Sequence, residues 1–374
     1  MMEIDVNKLR DRLRDAEVRR TFQHGRVTAL ASDERMLALA AWKDRIERIH
    51  VPDETAVEVQ KEINHIIQRS LKREGEGSCT LLHARTGAGK SHMLNRLLKS
   101  PSLAPTEDEF GPICPLVYVR APSPCNLKTL GRVIYKKLTD AELRASTDPH
   151  EVWRLLCYQL YGQRVSIIAI DEFHHVLVNP RIDVRQAIVN TIKSLIQPDP
   201  MNAIVPNVLT PYPMQVLLSG VPLVDRVVRM DGELSRRTTR IAIEPLAPTR
   251  RGLDHMRAFL KAVEKVLGFA MPSDLSGPEM TRRFMAASHG YQGRAMHLIK
   301  EASFRAIDEG APCIDRIRHL GAVLSDITGV DPEANPFIVA DASQAPPIRE
   351  KEWDDLTRLR GKQDAADVVL EEGD

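Results

Sequence analysis

Apolar residues recur along the chain at spacings that distinguish helices from buried strands. Near the N-terminus they repeat every three or four residues over 36–49 and 54–71, which predicts two helices. Further along, short apolar runs typical of buried parallel strands alternate with helical stretches. These runs are residues 79–82, 116–120, 165–171, 214–218 and 241–243. The pattern therefore predicts an α/β fold, with a parallel sheet flanked by helices.

The pattern changes after residue 248, where only helical spacing remains, over 251–267, 277–288 and 293–309. Two proline-rich stretches, 101–115 and 198–213, are predicted as loops. The chain is thereby divided into four predicted parts. They are an N-terminal helical segment (1–72), an α/β core (73–247), a helical lid (248–330) and an extended or disordered acidic tail (331–374).

Composition narrows the class of protein. Of 374 residues, 43% are hydrophobic and 28% are charged, as in ordinary globular proteins, and no apolar run is long enough to cross a bilayer. The charged N-terminus argues against a secretory signal, and five cysteines without paired metal-ligand spacing fit a reducing cytoplasm. A cytoplasmic protein without a membrane partner is predicted. Because the net charge is only +1, nucleic-acid binding would require a local basic patch.

The candidate chemistry centres on the segment SCTLLHARTGAGKSHMLN, in which a strand, a glycine-rich turn and a helix follow one another. This order is that of a phosphate-binding P-loop. Gly87 and Gly89 allow backbone N–H groups to turn toward phosphate oxygens. Lys90 can reach the β- and γ-phosphates and Ser91 can bind Mg²⁺, while Ala84 stands where the usual pattern begins with glycine. The residues predicted to bind ATP here are Thr86, Gly87, Ala88, Gly89, Lys90, Ser91 and His92.

An acid on a neighbouring strand is the second part that a P-loop enzyme needs, because it helps to hold Mg²⁺. The apolar run VSIIAID ends in Asp171, at the strand end where open α/β sheets bind ligands. Asp171 is predicted to serve the metal, and the adjacent Glu172 to polarise the attacking water. A third polar residue, Ser219, ends the strand MQVLL and is predicted to touch the γ-phosphate or that water.

Two histidines, His174 and His175, come directly after these acids. Adjacent side chains on an extended or helical segment face apart, and no third ligand lies nearby in the sequence. No metal site is therefore predicted at this pair.

A basic stripe is predicted on the helix that follows the second strand. Lys128, Arg132 and Lys136 are spaced at i, i+4 and i+8, so they share one helix face, with Lys137 alongside. Such a stripe is either a solvated surface or a contact for the phosphate backbone of DNA. Residue types and spacing alone leave both interpretations open.

The order of the motifs ARTGAGKS, YVRAPSP, IIAIDEFHHVL, LLSGVP and SHGYQGRAMHLIKEA resembles that of the AAA+ ATPases. More narrowly, it is similar to the TniB/TnsC-like transposition regulators, relatives of the phage Mu B protein. By this resemblance Ser219 is sensor 1 and Arg294 is sensor 2. Arg236 or Arg237 is the arginine finger that reaches a neighbouring subunit's nucleotide.

The resemblance also implies a function. It implies an ATPase with ATP and Mg²⁺ as cofactors that forms a homo-oligomer, a ring or a helical filament, on double-stranded DNA with low sequence specificity. This assembly would recruit or activate a transposase, with a target-selection protein as a further partner, and hydrolysis would drive its disassembly. Two alternatives stay open: an initiator-type or helicase-loading ATPase, and a signalling NTPase switch that does not bind DNA.

Overall fold

The computed structural model describes residues 16–30, 33–52, 54–71, 76–97, 99–177, 182–197 and 212–341. The strands of this part of the chain are β1 (Cys79–His83), β2 (Thr106–Asp108), β3 (Gly111–Ile113), β4 (Leu116–Arg120), β5 (Ile167–Asp171), β6 (Gln215–Gly220) and β7 (Thr238–Ala242). Its α-helices up to β7 are α1 (Ala16–Leu30), α2 (Glu34–Glu47), α3 (Glu54–Ser70), α4 (Lys90–Leu97), α5 (Leu127–Thr139), α6 (Pro149–Gly162), α7 (Ile182–Ile196), α8 (Leu223–Arg229) and α9 (Gly232–Arg236). After β7 come α10 (Arg250–Leu267), α11 (Pro278–Ser288), α12 (Gln292–Asp308) and α13 (Ala322–Thr328).

The main sheet has five parallel strands in the order β4-β5-β6-β1-β7, which confirms the predicted parallel α/β fold. The non-sequential order places β1, which leads into the P-loop, beside β6 and close to the acid-bearing β5. The carboxyl ends of parallel strands lie along one edge, where ligands bind in open sheets of this kind. Strand β7 begins at Thr238, earlier than predicted. Its first three residues pair with β1 but are polar, so the apolar run in the sequence marks only the later part of this edge strand.

Helices cover both faces of the sheet, because side chains along each central strand point alternately to opposite sides. On β5, Ile168 and Ile170 join a core built with α5, α6, α7 and α8. On the other face, Ile167 and Ala169 join a core built with α3 and α4. The central strands are therefore enclosed on both sides, and their polar ends are held at fixed positions.

Residues 101–115 are not a simple loop, so that prediction is wrong. They contain a short 3₁₀ turn, Pro101–Leu103, and an antiparallel hairpin made by β2 and β3. Each strand has three residues and the β2 side chains are exposed, so no apolar alternation marks them in the sequence. Arg164 fixes the hairpin through two bonds to Asp108, of 2.6 and 2.7 Å, and these bonds lower the pKa of that carboxyl to about 2.

The described residues divide into two compact units. One contains the sheet and takes residues 52–247 and 288–294, apart from the gaps given above. The other takes residues 16–51, 248–287 and 295–341. Within this second unit, Trp42 of α2 donates a 2.7 Å hydrogen bond to the carbonyl of Leu267 at the end of α10, and its ring centroid lies 4.9 Å from that of Phe269. The domain boundaries at 72, 247 and 330 stay a prediction.

Residues 331–341, the first part of the predicted tail, are folded as turns. Phe337 and Asn335 are fully buried, and the Phe337 ring packs 5.1 Å from that of Phe284. The buried guanidinium of Arg283 donates to backbone carbonyls of this segment, including those of residues 339 and 340 at 2.8 Å. Proline and acid content concealed these contacts. Residues 342–374 of the tail and 198–211 of the predicted loop lie outside the described part of the chain.

Candidate functional site

The glycine-rich turn after β1 forms a closed loop around a lysine. Gly87 and Gly89 have φ angles of +77° and +104°, in the left-handed region that favours glycine. Lys90 begins α4 and is buried, and its Nζ donates to the carbonyls of Ala84 (2.9 Å) and Arg85 (3.0 Å). Ala84 contributes a backbone carbonyl, which any residue could supply, so its departure from the usual glycine leaves this arrangement possible.

The acid at the end of β5 is joined to the P-loop. Asp171 is fully buried, and its Oδ2 accepts hydrogen bonds from Ser91 Oγ (2.6 Å) and Tyr118 Oη (3.2 Å). The structure thus brings together Ser91 and Asp171, which lie 80 residues apart in the sequence. Burial and the nearby Asp171 carboxylate raise the pKa of Tyr118 to about 12, so its hydroxyl stays a proton donor. A hydroxyl and a carboxylate are oxygen donors of the kind that Mg²⁺ prefers.

The next residue, Glu172, leaves the strand in a left-handed conformation with φ of 53°. Such a backbone is uncommon for a residue with a side chain and turns the chain sharply. Its Oε1 lies 3.7 Å from Nη2 of Arg120, and its Oε2 lies 3.3 Å from Nδ1 of His174. The carboxylate is therefore held between a cation and an imidazole, beside the buried carboxylate of Asp171.

The prediction that His174 and His175 face apart, with no third ligand nearby, is wrong. The residues form a 3₁₀ turn, Phe173–Val176, and the two rings lie with centroids 4.4 Å apart instead of facing opposite sides. Glu172, placed by its left-handed backbone, is the third group. One ligand atom from each of the three residues lies within 4.8 Å of the others.

Ser219 lies near the carboxyl end of β6, at the same edge of the sheet as Asp171 and Glu172. It is fully buried on β6, directly beside Leu82 of β1 in the parallel register. Its Oγ makes no hydrogen bond with any described residue. A buried hydroxyl without a partner costs roughly 1–3 kcal/mol, so a hydrogen-bonding ligand at this point would remove a penalty. This position fits the oxygen atoms of a bound phosphate or a water.

The arginine of the SHGYQGR motif packs directly on the P-loop. Arg294 is fully buried, its Nε donates to the carbonyl of Thr86 at 3.1 Å, and its guanidinium lies 4.8 Å from the centre of the Tyr291 ring. The preceding Gly293 has to be small, because a β-carbon there would lie 2.5 Å from the carbonyl oxygen of Gly87. The motif thus brings a cation to the loop that is predicted to bind phosphate.

The other predicted nucleotide contacts lie in the same loop and the first turn of α4. Thr86 and His92 are exposed, and Ala88 is buried. With the left-handed glycines, the lysine, the oxygen donors and the orphaned hydroxyl on β6, these residues fit ATP and Mg²⁺. The fit rests on the donor types and the backbone cradle.

The two candidate arginine fingers differ in their surroundings. Arg237, at the C-terminal cap of α9, is tied within its own chain to Glu76 (3.0 Å) and Glu233 (3.6 Å). Its neighbour Arg236 is exposed on α9. A residue that acts on another subunit has to project from the surface, so the exposed Arg236 suits that role better.

The predicted basic stripe lies on α5, opposite a buried face. Lys136 and Lys137 are exposed, and Lys128 and Arg132 are half-buried. Arg132 donates to a backbone carbonyl in the loop after the helix at 2.8 Å, and Lys136 forms an ion pair with Glu142. Part of the stripe's charge is therefore engaged within the chain.

Two residues near the acids were missed by sequence reasoning, Tyr118 and Arg120 of β4. Both contact the acid pair, because β4 runs parallel to β5 with Arg120 directly opposite Asp171. The available signal was their place at the end of a predicted strand, since parallel neighbours bring such ends together. That signal could not be used without the strand order.

No helix in the described part of the chain could span a membrane.

A family model described as "Bacterial TniB protein" matches residues 45–246. No curated protein sequence matches the chain. Among solved structures, the Aeropyrum pernix ORC2 protein, in its ADPNP-ADP complexes, has a TM-score of 0.50 at 15% identity, covering 75% of this chain and 70% of its own. Cdc6p from Pyrobaculum aerophilum has a TM-score of 0.51 at 14% identity, covering 85% and 89%. These structural likenesses show a shared AAA+ P-loop fold.

Proposed function

The chain belongs to the TniB family, and on that premise we propose that it is an ATP-dependent, DNA-binding regulator of DNA transposition. In this proposal, ATP-bound subunits assemble on double-stranded DNA with little regard to sequence and recruit or activate a transposase. ATP hydrolysis then drives their disassembly. The AAA+ fold and the family support the ATPase part, and the family alone suggests the transposase.

The observation that carries the ATPase proposal is the joining of the P-loop to β5 through Ser91 and Asp171. When bound, Mg²⁺ would neutralise charge that develops on the transferred phosphoryl group. Ser91 and Asp171 would hold it, directly or through water. Lys90 would bind the β- and γ-phosphates, and Glu172 would orient and polarise the attacking water.

DNA binding is supported by the position of the basic stripe on α5, whose exposed cations are Lys136 and Lys137. Contacts to phosphate give affinity without sequence choice.

A gel shift on duplex DNA with a non-hydrolysable ATP analogue is the first experiment, because a signalling NTPase would give no shift. A helicase loader would bind a helicase instead of a transposase, so retention of each partner on the ATP-bound protein separates those two functions.

Replacing Lys128, Arg132 and Lys136 together by alanine should weaken duplex binding for every sequence tested, because the contacts are to the backbone. The salt slope, the change of log affinity with log salt concentration, should fall by roughly one for each lost phosphate contact. ATP binding should not change, and any stimulation of ATPase by DNA should disappear.

A charge-matched control is available on α10, where Arg257, Lys261 and Lys265 have the same i, i+4, i+8 spacing and are exposed. Alanine at those three positions removes the same charge from another helix and should leave DNA affinity near the parental value. Equal loss in both triple variants would show a general charge effect, and unchanged binding in the α5 variant would exclude the stripe as the DNA contact.

Tyr118→Phe removes a side-chain hydroxyl that donates to Asp171 and leaves the donor hydroxyl of Ser91 in place. Outer-shell partners of metal ligands typically contribute about 10- to 100-fold in metal affinity or activity, so the Mg²⁺ concentration for half-maximal ATPase should rise about tenfold. Maximal turnover at saturating Mg²⁺ should change less. A Mg²⁺ titration of the ATPase rate measures both, and an unchanged midpoint would mean that Tyr118 does not position Asp171. Tyr158→Phe, at an exposed tyrosine, is the control.

A further inference from the structure

Glu172, His174 and His175 form a mixed carboxylate and imidazole cluster at the end of β5. Among the described residues it is the one group of three or more such side chains that could hold a metal ion, with one ligand atom of each within 4.8 Å of the others. Two histidines and one carboxylate are a common protein ligand set for Zn²⁺. Mg²⁺ prefers oxygen donors, such as those of Ser91 and Asp171, so the two sites differ in the metal that they favour.

The spacing within the cluster fits a tetrahedral ion. Donors bound to Zn²⁺ at about 2.0–2.1 Å with tetrahedral angles lie about 3.3–3.4 Å apart. The distance from His174 Nδ1 to Glu172 Oε2 is 3.3 Å. These two atoms therefore have the separation that a shared Zn²⁺ requires, and a ring nitrogen of His175 lies within 4.8 Å of a ligand atom of each of the other two residues.

The third ligand is oriented by a bond to the backbone. Nδ1 of His175 lies 3.0 Å from the carbonyl oxygen of Ala121. Because a carbonyl only accepts, Nδ1 carries the proton, and in the neutral ring the lone pair is then on Nε2. Metal-binding histidines usually have such a bond, which fixes both the tautomer and the ring orientation.

The charge around the cluster also allows a cation. Among the residues that the structure describes, Arg120 pairs with Glu172: its Nη2 is 3.7 Å from Oε1, whereas the other oxygen, Oε2, is the one near His174. The Arg120 side chain is 69% exposed, so it can move into solvent at little cost. The His174 side chain is only 4% exposed, which leaves Glu172 and His175 as the open side of the cluster.

From these contacts we propose that Glu172, His174 and His175 form a Zn²⁺ site whose occupation takes Glu172 away from ATP hydrolysis. A carboxylate bound to Zn²⁺ cannot also polarise the attacking water. The binding half of the proposal depends only on the cluster. The inhibition half rests on the proposed ATPase function.

The binding test uses the whole 374-residue chain without nucleotide and with saturating Mg²⁺. Zn²⁺ affinity is measured by competition with a chromophoric chelator, and Co²⁺ serves as a second probe because its visible absorption reports the number of ligands. His175→Asn is the informative variant, since its amide nitrogen can keep the bond to Ala121 while Nε2 is lost. Zn²⁺ affinity should fall at least about tenfold, because even an outer partner contributes about 10- to 100-fold.

His150→Asn, at an exposed histidine on α6, is the control and should bind Zn²⁺ like the parent protein. Thermal unfolding without metal shows that each variant is folded, and Zn²⁺ should raise the unfolding temperature of the parent more than that of His175→Asn. Equal Zn²⁺ affinity in the parent and His175→Asn, or no binding by the parent at micromolar Zn²⁺, would overturn the proposal.

The inhibition test measures ATPase in saturating Mg²⁺ at buffered free Zn²⁺. The parent and His150→Asn should lose activity as the cluster fills, and His175→Asn should need at least about tenfold more Zn²⁺ for the same loss. Zn²⁺ binding that depends on His175 but leaves the ATPase rate unchanged would refute the inhibition. A parent without ATPase activity in Mg²⁺ would instead contradict the proposed function, and the binding result would still decide whether the site exists.

Discussion

Glu172→Gln should lower the rate of ATP hydrolysis by about 100-fold or more while ATP binding stays near the parental level. Glutamine keeps the shape of the side chain but has no negative charge with which to polarise water. Lys90, Ser91 and Asp171 are unchanged, so the groups proposed to hold the phosphates and Mg²⁺ remain. Steady-state phosphate release measures the rate, and a fluorescent ATP analogue measures binding.

The same variant tests the link between hydrolysis and disassembly. If hydrolysis releases the subunits from DNA, Glu172→Gln should form ATP-dependent complexes that persist after dilution, whereas parental complexes dissociate. Glu109→Gln, an exposed acid on the β2–β3 hairpin, is a matched acid-to-amide control and should behave like the parent. Parental turnover in Glu172→Gln would exclude Glu172 as the catalytic residue.

The central strands could be predicted from the sequence, and so could the proximity of the P-loop to the acid at the end of β5. Strands such as β5 are enclosed on both faces and therefore appear as uninterrupted apolar runs, and a P-loop requires an acid nearby. On that basis the sequence predicts that Ser91 and Asp171 serve one metal ion, and in the structure Ser91 Oγ lies 2.6 Å from Asp171 Oδ2. Their roles in catalysis stay a prediction.

What could not be predicted depends on backbone conformation and strand order. The left-handed φ of Glu172 and the 3₁₀ turn after it bring the acid and both histidines together, and neither has a marker in the sequence. Tyr118 reaches Asp171 only because β4 is the neighbour of β5. The β2–β3 hairpin was missed because it has no apolar alternation. The buried Phe337 was missed because it begins a short apolar run, FIVA, directly after Pro336 in a stretch rich in proline and acid.

Arg236→Ala should lower ATPase activity by about 1,000-fold or more and remove its steep rise with protein concentration, while ATP binding is preserved. An arginine finger acts on a neighbour's nucleotide, so turnover needs contact between subunits. The structure favours Arg236 over Arg237 because Arg237 is bound to Glu76 and Glu233 of its own chain. Arg237→Ala should therefore change the ATPase rate little. It should also change the stability of the protein little, since a partly exposed ion pair contributes at most about 1 kcal/mol to stability.

Mixing two inactive variants tests whether Arg236 acts between subunits. Lys90→Ala subunits lack the lysine proposed to bind phosphate but retain Arg236, and Arg236→Ala subunits retain the proposed nucleotide site. In a head-to-tail assembly, some junctions of a mixture pair an intact site with an intact arginine, so activity should partly return. Recovery in the mixture, together with near-parental turnover of Arg237→Ala, identifies Arg236 as the finger. Turnover per subunit that does not depend on protein concentration in the parent would refute action between subunits, because hydrolysis would then need no neighbour.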